Sequence, residues 1–393
     1  MQPLAISHFT LANCLGSGRA ATLAAMREER SGLARVDFGD VDIDTWVGMV
    51  PGLESPVRAE LIGFDCRNNR LAELAVTQDG FPEAVAAAAK KYRPSRIGVF
   101  MGTSTSGVLA TEQAYRHRTA DGSLPADFHY SKTQNGYSLA DFVQQILGLT
   151  GPAMVVSSAC SSTAKVFGHA QRMIEAGFID AAVVGGVDSL CLTTLYGFNS
   201  LGLVSGQPCR PFGAGRDGIS IGEGAGFALL EKAAEQPRAP RLLGVGESSD
   251  AYHMSSPHPE GEGARAAMQR ALNAAHLTPA DIGYINLHGT ATPANDLSED
   301  KAVVNLFGSK VPASSTKGAH GHLLGAAGIT EAIISLLSMA HGFMPAGMNT
   351  REVDPELRTD YLLGNREGRL GAVLSNSFGF GGSNCALVLG AAA

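Results

Sequence analysis

Strand-length runs of apolar residues, each next to a stretch with helical character, recur along the chain and constrain its fold more than any other feature. Ile97–Met101, Met154–Ser157 and Asp180–Val187 are such runs. A helix is predicted over Pro82–Lys91, with proline in its first turn, glutamate next and two lysines at its end. A second is predicted over Ser161–Ala176, closed by Gly177. Apolar runs without polar alternation are strands buried on both faces. The alternation therefore predicts an α/β protein whose mostly parallel sheet is covered by helices on both sides.

The plan repeats in the second half. A helix over Ala264–His276 precedes a strand over Ile282–Leu287. A long Ala/Ile/Leu helix follows over Leu323–His341, and Gly371–Leu389 reads as strand, glycine turn and strand. Pro94-x-x-Ile97-Gly98 matches Pro279-x-x-Ile282-Gly283 at an offset of 185 residues (279 − 94), and Ser/Thr-rich turns follow both. We expect two related halves, residues 1–240 and 241–393, joined without a low-complexity linker.

Composition narrows the functional classes. Among 393 residues, 37 are acidic and 30 basic, a net charge of −7 with no basic stripe, which argues against nucleic-acid binding. Only 17% of residues are charged and 48 are glycine, as suits a compact interior with close backbone approaches rather than a disordered chain. The first residues, MQPLAISHFTLANCLG, carry no secretory signal pattern, and no stretch reaches the ~18 uninterrupted apolar residues of a membrane span. The six cysteines lie far apart with no CxxC pair, so neither a disulfide framework nor a zinc site is expected. The expectation is a reduced, cytoplasmic protein.

Four segments carry candidate chemistry. In SSACSSTA, Cys160 stands where a buried strand enters a helix, and the free N–H groups of a helix start favour a thiolate. A buried structural cysteine fits the local sequence equally well. In INLHGTATP, His288 ends a strand and is followed by Thr290 and Thr292. In STKGAHGHLLGAAG, His322 stands at a helix entry, with Lys317 before it and Glu331 about two and a half turns along. A zinc reading of His320 and His322 lacks further ligands. In NSFGFGGSN, glycines interleave with Phe378 and Phe380, a tight loop whose N–H groups suit an oxyanion. Ligands gather at the carboxyl ends of strands in such sheets, which would bring these segments together. A cysteine, two histidines and a glycine loop are the parts needed for acyl transfer on a thiolate.

On these motifs, with RPFGAGRDGISIGEGAG and SSDAYHMSSP, the chain resembles the β-ketoacyl-[acyl carrier protein] synthases of the thiolase superfamily. The resemblance implies a five-layered α-β-α-β-α fold, a homodimer or a heterodimer with a ketosynthase-like partner, and decarboxylating Claisen condensation of an acyl thioester with malonyl-[acyl carrier protein]. No bound cofactor or metal is implied, because phosphopantetheine arrives on the acyl carrier protein. Cys160 resembles the acyl-accepting thiolate, and His288 and His322 the decarboxylating pair. Lys317 resembles the lysine supporting the second of these histidines, with Asp296 and Glu299 as acidic partners of that network. Glu331 resembles the glutamate of the following helix. Thr290 and Thr292 correspond to contacts of the phosphopantetheine arm. Phe380 corresponds to the gate, flanked by Phe378, Gly379 and Phe198, and its N–H joins that of Cys160 in the oxyanion hole. Thr105 corresponds to the position that lines the acyl pocket across the dimer.

The chain departs from the family pattern at Ala291, Asn295, His320, Gly213 and Thr105, features that resemble synthases of specialised pathways such as aryl polyene biosynthesis. Two alternatives have distinct signatures. A non-catalytic chain-length-factor partner lacks the nucleophile. A coenzyme-A-dependent thiolase carries a second catalytic cysteine near the glycine loop, where Cys385 here reads as a core residue.

Overall fold

The computed structural model describes residues 2–39 and 41–392. Ten strands build the part of the molecule that holds the site. In the first half they are β1 (Leu4–Asn13), β2 (Ile97–Gly102), β3 (Ala153–Val156), β4 (Ala181–Asp188) and β5 (Gly224–Lys232). In the second they are β6 (Arg241–Ser249), β7 (Tyr284–Asn286), β8 (Pro312–Ser314), β9 (Ala372–Gly379) and β10 (Ser383–Gly390). The strand order is β3-β2-β4-β5-β1 in one half and β8-β7-β9-β10-β6 in the other, the same topology twice. The halves meet where β1 pairs antiparallel with β6, Leu4 opposite Leu242 and Ala5 opposite Arg241. Short 3-10 turns, Pro94–Arg96 and Pro279–Asp281, lead into β2 and β7. The proline-led repeat in the sequence is therefore a structural repeat as well.

The expectation of mostly parallel strands needs one correction. β5 and β10 run antiparallel to both neighbours. For β10 the cause is local: the three-residue turn Phe380–Gly382 allows only a hairpin return from β9.

Six helices complete the layers: α1 (Arg67–Val76), α2 (Tyr137–Ile146), α3 (Ser162–Glu175), α4 (Glu262–Ala275), α5 (Pro293–Phe307) and α6 (Ala327–His341). Helices α3 and α6 touch each other and contact strands of both halves, so they form the central layer. Helices α1 and α2 cover the outer face of the first half; α4, with α5 beside it, covers that of the second. The apolar core follows the layers, with one cluster around the central helices and one under each outer layer. This is the thiolase-like α-β-α-β-α arrangement. The segment Leu324–His341 is apolar and long enough to cross a membrane by length and composition, but 89% of it is buried inside the protein as the core of the central layer.

Helix α6 begins later than its sequence suggests. Leu324 has φ +50°, and a 3-10 turn over Leu324–Ala326 intervenes, so Glu331 lies just over one turn into the α-helix rather than two and a half.

Candidate active site

The nucleophile candidate sits on a sharp turn. β3 ends at Val156, α3 begins at Ser162, and Ala159 between them has φ +51°, a strained left-handed conformation for a side-chain-bearing residue. The turn is tied by the Ser162 hydroxyl, which donates to the Ala159 carbonyl and accepts from the Ser158 N–H. The glycine loop closes over it. A Cβ on Gly379 would lie 2.8 Å from the Ser158 carbonyl oxygen and 3.3 Å from the Cys160 nitrogen, so only glycine allows this approach. The Phe380 N–H is directed at the Cys160 sulfur.

Cys160 Sγ lies 3.0 Å from His322 Nε2. Burial of the thiol stands against the acidification expected at a helix start. It pushes the pKa up to about 12, outweighing the Lys317 charge and the Phe380 N–H. The thiol is therefore protonated at neutral pH.

His288 leaves the end of β7. The Glu299 carboxylate accepts the N–H of His288 (2.8 Å) and of Gly289 (2.7 Å), which fixes the backbone at that point. Lys317 Nζ donates to the His288 carbonyl at 2.5 Å and lies 3.4 Å from His288 Nδ1. An ammonium can only donate, so Nδ1 accepts and neutral His288 carries its proton on Nε2. The His288 and His322 rings stand edge to face, centroids 5.4 Å apart. Burial and the nearby Lys317 charge hold both well below the usual histidine range, so both are neutral imidazoles. Lys317 in turn is paired with Glu331, and both are fully buried.

A cavity of about 240 Å³ opens over these groups. Thr290 and Thr292, hydroxyls 3.0 Å apart, lie on its wall with Phe378 and Gly379. Phe198 and Phe380 meet edge to face across it, centroids 5.4 Å apart.

Residues 71–236 match the β-ketoacyl synthase N-terminal domain, and residues 240–351 match the β-ketoacyl synthase C-terminal domain. The chain belongs to the β-ketoacyl synthase family. Among its curated relatives, nodulation protein E of Rhizobium leguminosarum bv. trifolii is 34% identical over 95% of both chains. The 3-oxoacyl-[acyl-carrier-protein] synthase 2 of Vibrio harveyi is 35% identical over 75% of both. Among solved structures, a ketosynthase in complex with its chain length factor from Xenorhabdus doucetiae matches with TM-score 0.91 and 37% identity, covering 100% of this chain and 98% of that one.

In this β-ketoacyl synthase three side chains, Lys317, Asp296 and Glu299, stand elsewhere than the resemblance implies. Lys317 supports His288, not His322: the short helix that carries it turns its side chain toward β7. Its acidic partner is Glu331, which is also fully buried. Asp296 and Glu299 do not touch the lysine. Asp296 accepts the N–H groups of Phe212 and Ala291 and faces Arg216, while Glu299 holds the His288 loop and Asn376. Thr105 is buried, and its N–H and hydroxyl both donate to Asp188 Oδ1, at 2.9 and 3.0 Å. Its hydroxyl is satisfied, so it sets no penalty against an aliphatic chain.

Sequence reasoning also missed participants. Asp250, Ser255, Ser256 and Pro257 line the cavity; their signal is the SSDAYHMSSP motif, whose letters alone point to no role. Ligand atoms of Cys160, His288 and His322 come within 4.8 Å of one another, close enough to consider a metal. The Lys317 ammonium beside His288 Nδ1 and the direct sulfur–nitrogen contact at 3.0 Å fit a hydrogen-bonded acyl-transfer site better than a tetrahedral ligand set.

Proposed function

We propose that this synthase condenses an acyl group held on Cys160 with a malonyl group delivered on an acyl carrier protein. The observation that carries the reading is the meeting of the Cys160 thiol with two neutral imidazoles in one cavity.

In the first half-reaction the Cys160 sulfur attacks the acyl thioester while its proton passes to His322 Nε2, the acceptor at 3.0 Å. The Phe380 N–H, with that of Cys160, faces the oxyanion of the tetrahedral intermediate. Collapse expels the phosphopantetheine thiolate, which takes the proton. In the second half-reaction the malonyl group loses CO₂, and the enolate oxygen accepts from His288 Nε2–H and His322 Nε2–H. The enolate carbon attacks the acyl thioester and releases the Cys160 thiolate, which is reprotonated from water. His322 thus acts first through a lone pair and then through a proton on the same nitrogen. In the resting site the Cys160 S–H donates to Nε2, which places the His322 proton on Nδ1; once Cys160 is acylated, no group among the described residues holds that tautomer, and the ring loses the Nδ1 proton to water and gains one at Nε2 from water before it donates to the enolate.

Phosphopantetheine comes on the carrier and not as a resident cofactor. A dimer with a second ketosynthase-fold chain is supported by the similarity to a ketosynthase solved with its chain length factor. The Cys160, His288 and His322 set supports the catalytic role for this chain rather than for a partner. The test is mass spectrometry of products from malonyl-[acyl carrier protein] and a panel of saturated and polyunsaturated acyl carriers. A product two carbons longer, with one CO₂ released per turnover, is expected. No extension with any acyl carrier, in the presence of a ketosynthase-like partner, would refute the function.

A further inference from the structure

The turn between Lys317 and His322 carries one side chain that none of these steps uses. His320 is fully buried. Its Nδ1 lies 2.8 Å from the Gly321 carbonyl oxygen, and its Nε2 lies 3.1 Å from the Thr316 hydroxyl. A carbonyl can only accept, so the ring proton is on Nδ1 and the threonine hydroxyl donates to Nε2. A single neutral tautomer satisfies both contacts, and burial next to Lys317 holds the ring's pKa down to about 3. The imidazole is therefore a fixed strut, not a switch. It ties the residue before the short helix Lys317–His320 to the residue after it.

The rest of that turn is equally constrained. The His320 carbonyl oxygen is gripped by Gly48 and Gly222, which pair on neighbouring strands; a Cβ on either would run into it. Gly321, at φ +80°, then redirects the chain. The His322 N–H donates to Ser220 at 2.7 Å, and its carbonyl accepts from Gly222 at 3.0 Å. At one end of this braced turn, Lys317 holds His288; at the other, His322 meets Cys160.

We propose that His320 is a positioning residue that fixes the distance between Lys317 and His322, and through them the mutual placement of His288, His322 and Cys160. The proposal rests on the function above only for its turnover readout. Misplacement of reacting groups by 1 Å can cost roughly 100-fold in rate, so slack in this turn reaches the chemistry although His320 touches no reacting atom.

The test uses His320→Phe, which keeps the ring volume and loses both hydrogen bonds. His320→Asn restores a donor near Nδ1, and Thr316→Val removes only the hydroxyl partner. Three quantities are measured on the full chain: the rate of Cys160 alkylation by iodoacetamide, the kcat and KM for CO₂ release from malonyl-[acyl carrier protein], and the melting temperature. Expected for His320→Phe is alkylation at least fivefold slower and kcat at least tenfold lower, with KM within twofold. Thr316→Val should shift the same two rates in the same direction, and His320→Asn should recover part of the loss. A folded His320→Phe protein with wild-type alkylation and kcat overturns the proposal, as does a drop in melting temperature alone. If His320→Phe does not fold, unchanged rates in Thr316→Val overturn it. Alkylation assumes no substrate. A wild-type protein inert toward malonyl carriers would thus sink the proposed function and leave the positioning test intact.

Discussion

Glu299 shows how much of the site is held by groups that never meet a substrate. Its carboxylate accepts two backbone N–H groups of the His288 loop and the Asn376 amide, yet burial pushes it up to about 7. The folded protein thus holds this proton more tightly than the unfolded chain, whose glutamate titrates near 4.5. The sign follows from linkage. Stability from this group is fully present below about pH 4.5 and is lost as pH rises through 7, at a limiting slope of about 1.4 kcal/mol per pH unit. Glu331 shifts in the same direction. Denaturant unfolding measured from pH 4.5 to 8 should show this decline, and Glu299→Gln should flatten it. An unchanged slope in the variant would place the proton elsewhere. Thr105 teaches the opposite lesson about single residues. Its partner Asp188 lies 83 residues away, so the bonds that satisfy its hydroxyl and N–H cannot be read from neighbouring letters.

The glycine loop separates two reasons for glycine. Gly379 has an ordinary φ of −103° but no room beside the Cys160 turn, whereas Gly381 has φ +80° and open space around it. Gly379→Ala should therefore slow acylation of Cys160 by about 100-fold, because the Phe380 N–H can no longer face the sulfur. Gly381→Ala should cost about 1 kcal/mol of backbone strain and leave acylation within a fewfold of wild type. Stopped-flow acylation with an acyl-phosphopantetheine and thermal unfolding distinguish the two. Equal effects would mean that loop strain, not close approach, matters. The helices and strands themselves were largely legible. The helix expected over Pro82–Lys91 spans Phe81–Tyr92, and the strand expected over Asp180–Val187 spans Ala181–Asp188. Continuous apolar runs and proline-led starts are local signals and survive folding. Which side chain Lys317 reaches is not local. It stands five residues from His322 in the chain but contacts His288, 29 residues away, because a four-residue helix turns it there. The left-handed Leu324 hid the late start of α6 for a similar reason: no sequence rule assigns that conformation to leucine.

The contact between the central helices is one of the joints that bring the two halves into one site. Cys160 precedes α3 and His322 precedes α6, and where the helices cross, a Cβ on Gly328 would lie 2.7 Å from the Ala164 nitrogen. Gly328→Leu should destabilise the protein by more than about 3 kcal/mol, the upper end of ordinary overpacking. It should also separate the thiol from its imidazole, measurable as slower Cys160 alkylation in whatever fraction stays folded. Tolerance of leucine without change in stability or alkylation would show that the halves are not registered here. The division of labour between the halves is tested most directly by parallel measurement of acyl adduct and CO₂. Wild type, Cys160→Ala, His288→Ala and His322→Ala are each given an acyl carrier and carboxyl-labelled malonyl-[acyl carrier protein], and intact mass and released label are read together. The expected result is an acyl adduct on wild type and on His288→Ala, none on Cys160→Ala, and labelled CO₂ from wild type but not from either histidine variant. An acyl adduct on Cys160→Ala, or normal CO₂ release from both histidine variants, would contradict it.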